Sequence, residues 1–95
     1  MTVEELRTEL EQTVSSLSSS DFVSIDPGTI EKLAKNAEKA GELGMKEGKH
    51  LIENLIGSMK AIMEGKSQAE SGMVRLTALD FYLRKLSGNG NIEEL

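Results

Sequence analysis

The chain has 95 residues, 38% of them hydrophobic, with no cysteine, no tryptophan and a formal net charge of −5. That charge argues against a nucleic-acid-binding surface, and the lack of cysteine excludes disulfides and thiolate chemistry while leaving the redox compartment open. No apolar run reaches the ~18 residues of a membrane span and no signal-peptide pattern is present, so the expectation is one cytoplasmic domain that makes no membrane contact.

A chain of this size buries only about 60–65% of the surface that its unfolded form exposes. Its aromatics are Phe22, Phe81 and Tyr82, so Leu, Ile, Val, Met and Ala must fill the core. Oligomerisation is a common remedy for a core this thin. Charge is distributed unevenly: residues 1–31 carry seven acids and one base, and residues 32–66 carry seven bases and five acids. That asymmetry is read first as solvated faces, and second as complementary packing of two helices or of two copies of the chain.

Residues 2–18 have the pattern of an amphipathic helix. Thr2 and Glu5 have capping-box spacing, and Val3, Leu6, Leu10, Val14 and Leu17 share one face. The serines from Ser15 to Ser20 weaken helix propensity and mark its fraying end. Phe22, Val23 and Ile25 then give an apolar connection expected to plug one end of a bundle. Asp26 and Pro27 supply the N-cap and first position of the next helix.

From Thr29 to Gly65 the pattern stays helical. Ile30, Ala34, Ala37, Gly41, Gly44, Gly48, Leu51, Leu55, Met59 and Ile62 form a stripe at helical spacing, small in its middle third. Each glycine costs about 1 kcal/mol in a helix interior relative to Ala, yet no Pro or Asn accompanies them. The reading is one long helix over 27–64, about 50 Å long; the alternative breaks it near 44–48. Glu31–Lys35, Glu42–Lys46 and Lys49–Glu53 have the i,i+4 spacing of outer-face ion pairs.

Gly65 fits a helix stop, and Ser67 with Glu70 a second capping box opening a helix over 67–87. Ala69, Met73, Leu76, Leu79 or Asp80, Leu83 and Leu86 form its inner face, with Phe81 and Tyr82 near the edges. Residues 89–95 form a flexible acidic tail, leaving residues 1–88 as the helical domain. The fold class is therefore all-α: an antiparallel bundle of three helices with a long central one, or a four-helix bundle if that helix breaks.

Two short helices leave part of a 50 Å spine uncovered, which calls for a second molecule. The expected function is a non-enzymatic helical interaction module, an adaptor, small chaperone or assembly subunit. It would form a homodimer or bind a protein partner through Ala34, Ala37, Gly41, Gly44, Gly48, Leu51, Leu55 and Met59. Met45, Met59, Met63 and Met73 suit a core and an adaptable docking surface alike. No cofactor is expected, and no metal, because His50 with Glu47 and Glu53 is a thin ligand set. Asp80 is the one carboxylate expected to be partly buried, beside an interhelical lysine or in a cap.

The single histidine gives a second reading. His50 lies opposite the stripe, with Lys46 and Asn54 one turn away. In length, helical class and this one exposed histidine the chain resembles histidine phosphotransfer domains, which would make His50 a phosphoacceptor. The run His50-Leu51-Ile52-Glu53-Asn54 departs from that family's pattern, because Glu53 stands near the position where a basic residue is usual.

Overall fold

Start and stop signals written into the chain divide it into four helices. The computed structural model describes residues 2–20, 22 and 25–88. Among these, α1 runs Val3–Ser20, α2 Pro27–Glu42, α3 Lys46–Met63 and α4 Ala69–Gly88. The architecture is all-helical, and the long central helix is replaced by two. The proposed tail over 89–95, and Val23 of the plug, lie outside the described residues.

The capping box opens α1 as its spacing requires. The Thr2 N–H donates to Glu5 Oε1 at 2.8 Å, and the Glu5 N–H donates to Thr2 Oγ1 at 3.1 Å. At the other end the serines do not fray the helix at residue 18. Ser19 and Ser20 turn their hydroxyls onto the carbonyls of Ser15 and Leu17, and α1 continues to Ser20. The predicted inner face is buried at Leu6, Leu10, Val14 and Leu17, whereas Val3 is exposed.

Asp26 caps α2 by accepting the Gly28 N–H at 2.9 Å, with Pro27 at the position where a missing donor costs nothing. The helix then stops at Leu43. Gly44 has φ of +79°, in the left-handed region. The Met45 N–H donates to the Ala40 carbonyl at 2.8 Å and the Gly44 N–H to the Gly41 carbonyl at 3.2 Å. This pair of bonds is a Schellman motif, and Met45 and Ala40, at the positions of its usual apolar contact, are both buried. A second copy closes α3: Gly65 has φ of +74°, with Lys66 N–H to Ala61 and Gly65 N–H to Ile62.

The second capping box does not form. Because α4 begins at Ala69, Glu70 sits too early in it to reach back to Ser67, whose hydroxyl instead meets that of Ser71 at 2.7 Å. The ion pairs of the described residues also differ from the three proposed. They join Arg7 to Glu4 and Glu11, Lys39 to Glu42, Lys66 to Glu64 and Arg84 to Asp80. Glu42 and Lys46 are separated by the Gly44 turn, so they never share a helix face.

Consecutive helices pack side by side, and α4 closes the ring on α1. The body measures 40 × 20 × 18 Å, shorter than the 50 Å spine expected. Leu33, Ala37 and Ala40 of α2 meet Ile52, Leu55 and Met59 of α3 and Leu76, Leu79 and Leu83 of α4 in one core. Phe22, with φ of +61°, plugs one end. A Cβ on Gly72 would stand 3.0 Å from the Phe22 ring and from Ile62 Cδ1, so glycine there admits the plug. Thr13 and Asn36 are buried polar residues: the Thr13 hydroxyl donates to the Glu9 carbonyl at 3.2 Å, whereas Asn36 Nδ2 has no hydrogen-bond partner among the described residues.

The turn gives a direct test. Gly44→Ala forces a side chain into the left-handed region and is expected to cost about 1–2 kcal/mol. Gly57 lies inside α3 with open space around its Cβ position, so Gly57→Ala is expected to gain up to about 1 kcal/mol. Urea denaturation of the two variants measures both; equal, stabilising effects would restore the continuous helix.

Candidate functional site

The residues proposed as an interface separate into three groups. Ala37, Gly48, Leu55 and Met59 are buried in the core, and Leu51 is half-buried at its edge. Ala34 and Gly41 are exposed on the outer side of α2, and Gly44 is exposed in the turn. The turn at Leu43–Met45 brings α2 and α3 face to face, so the buried members are covered by this chain's own helices. Gly41 is partly roofed by Lys49, whose Cδ would lie 3.2 Å from a Cβ at that position. The methionines divide likewise: Met45 and Met59 are buried, Met73 is half-buried and Met63 is exposed.

Gly48 does provide a close approach, between α3 and α4. A Cβ there would lie 3.0 Å from Tyr82 Cε2 and 3.1 Å from its hydroxyl oxygen. Gly48 is in the first turn of α3, where backbone N–H groups lack helical partners, and Met45 at the N-cap offers no side-chain acceptor. Tyr82 therefore lays its phenol on an uncapped helix start. Burial pushes the hydroxyl pKa up, the Glu47 carboxylate adds to the rise, and the Gly48 backbone N–H opposes it.

His50 projects from the exposed side of α3. Asp80 is half-buried as anticipated, but its partner is Arg84 one turn along the same helix, at 2.9 Å, and not a lysine from another helix. Asp80 and Arg84 line a groove of about 340 Å³ between α1 and α4, together with Glu11, Ser15 and Ser18. A second, more apolar hollow of about 290 Å³ lies between the start of α2 and the end of α3, lined by Pro27, Ile30, Lys60, Met63 and Glu64. Among the described residues no three His, Asp or Glu side chains converge as metal ligands. None of their helices is long and apolar enough to cross a membrane.

The clearest departure from a solvated surface is on α4. Leu76, Leu79 and Leu83 face the core, yet the opposite side is not polar. Val74 is 65% exposed and Phe81 60% exposed, with Ala78 exposed between them. At spacings of four and three these residues form one row. The Lys85 ammonium lies over the Phe81 ring, 4.7 Å from its centroid, and Glu70 stands at the other end of the row, exposed. Scattered surface apolars are ordinary, whereas a contiguous row is informative. The sequence reading missed it by placing Phe81 at an edge of the inner face. The available signal was that α4 has apolar residues on both sides.

Tyr82 makes a pH prediction. Its folded pKa lies above the unfolded value of about 10. Stability from the neutral phenol is fully present below about pH 10 and is lost as pH rises through the folded pKa. Urea midpoints measured from about pH 8 to pH 11 should fall less steeply in Tyr82→Phe than in the wild type; parallel curves would contradict the assignment.

Comparison of the chain with known protein families, with curated proteins and with solved structures gives no match.

Proposed function

We propose that this chain is a non-enzymatic helical interaction module, acting in the cytoplasm as an adaptor or assembly subunit. The observation that carries the reading is the exposed row Val74–Ala78–Phe81 on α4. An amphipathic helix normally turns such residues inward, and the core is closed without them. Anchors at i, i+4 and i+7 are the spacing by which a helix docks against another helix or a groove. The docking face is thus the outside of α4, while Ala37 and Gly48 of the middle segment serve the packing of the bundle.

Site-specific cross-linking tests this. A photoreactive residue at Val74 in living source cells is expected to give a discrete cross-linked product, lost when Phe81→Ser is added. The same probe at Glu38, exposed on α2, should not give it. Identical products from both positions, or none from Val74, would refute the reading.

A second reading is supported by the exposure of His50 on a bundle of four helices. In it His50 accepts a phosphoryl group, as the resemblance to histidine phosphotransfer domains implies, with Glu53 one turn away opposing the incoming anion. Incubation with a phosphorylated response regulator is expected to label the wild type and not His50→Gln; equal labelling of the two rules it out.

A further inference from the structure

The order of residues along the outer face of α4 has a symmetry of its own. Glu70, Val74, Thr77, Ala78, Phe81 and Lys85 are all exposed. At about 100° per residue, Glu70, Val74, Phe81 and Lys85 fall within a narrow strip opposite the core-facing leucines, with Thr77 and Ala78 flanking its centre. Counted outward from the midpoint between Thr77 and Ala78, the row is complementary to its own reverse. Phe81 stands as far to one side as Val74 to the other, and Lys85 as far as Glu70.

We propose that this face pairs with the same face of a second copy of the chain, α4 against α4 in antiparallel orientation. The inference rests on the interaction-module reading and names its partner. A two-fold axis through the Thr77–Ala78 midpoint places Phe81 of each copy opposite Val74 of the other, a large side chain against a smaller one. It also places Lys85 of each copy beside Glu70 of the other, making two symmetry-related ion pairs, one at each end of the contact. The small residues Thr77 and Ala78 fall at the crossing, where backbones approach most closely. A parallel arrangement would instead stack Glu70 on Glu70 and Lys85 on Lys85, so charge selects the antiparallel one. This is the isologous geometry of a closed dimer, in which one patch serves both copies and no free edge remains to propagate.

The face covers about four turns of one helix, at the small end of specific interfaces. Association is therefore reversible, with a dissociation constant expected in the micromolar range. Each ion pair occurs twice, so a single charge reversal replaces two attractions by two repulsions. About a tenfold weakening is expected from either reversal at low salt, and less at high salt because the pairs lie at the rim.

Sedimentation equilibrium of the full chain, up to about 1 mM, tests the proposal. The wild type should dimerise, and Phe81→Ser should abolish the dimer. Glu70→Lys or Lys85→Glu alone should weaken it about tenfold, and the double exchange should return it towards the wild-type value. Thermal melts at low concentration verify that these exposed substitutions leave the fold intact. If Phe81→Ser breaks the dimer but the double exchange does not restore it, the antiparallel register is wrong and the α4 docking face stands. A dimer indifferent to Phe81→Ser overturns both. A wild type monomeric throughout overturns self-pairing, leaving the Val74 cross-link to decide whether α4 docks on a different protein.

Discussion

The pairing of α2 with α3 depends on one left-handed residue, Gly44. With Gly44 at φ of +79° the backbone leaves α2, satisfies two carbonyls of its last turn and re-enters a helix at Lys46. Without that reversal, residues 27–63 would form a rod, and their apolar faces would have no counterpart in the same chain. With it, α3 folds back against α2, and the pair becomes half of a ring that α1 and α4 complete. The motif works because Gly44 is flanked by residues that reward the turn: Met45 beyond it and Ala40 before it both enter the core.

The same turn places Gly48 where α4 passes. A helix start exposes donors, and here the local sequence provides no capping side chain. The Tyr82 phenol occupies that gap from another helix, and the lack of a Cβ at residue 48 lets it lie this close. Position 48 therefore couples the start of α3 to the latter half of α4. Tyr82 sits between core and surface, and its neighbour Phe81 turns outward, so anchoring Tyr82 also fixes which way Phe81 points. The inner contact and the outer apolar row are consequences of one helix rotation.

Local chemistry was legible in the sequence where one physical reason decides it. Thr2 with Glu5 and Asp26 with Pro27 specify helix starts through bonds made within a few residues, and both starts form as written. The glycines were not legible in this way. A glycine suits a left-handed stop and a close helix approach equally, and residues 41, 44 and 48 proved to be an outer surface, a turn and a packing contact respectively. The stripe drawn through them also took its phase from Ala and Gly, whose burial contributes little free energy. Leu33 and Ile52, both wholly buried, set the true phase and lie outside that stripe. The signal for the break was the apolar Met45 immediately after Gly44, the sequence trace of a Schellman contact.

Phe81 shows how little the outer face of α4 contributes to folding. Of three aromatic side chains, Phe22 closes one end of the bundle and Tyr82 covers the start of α3. Phe81 and Val74 are largely exposed in the folded chain, as they are in the unfolded one, so their apolar area contributes little to the stability of the monomer. The Lys85 ammonium over the ring sets a charge against this otherwise apolar row. Free energy from this row is therefore realised only when another surface removes it from water. The bundle's own demands are met on the opposite side of the helix, by Leu76, Leu79 and Leu83.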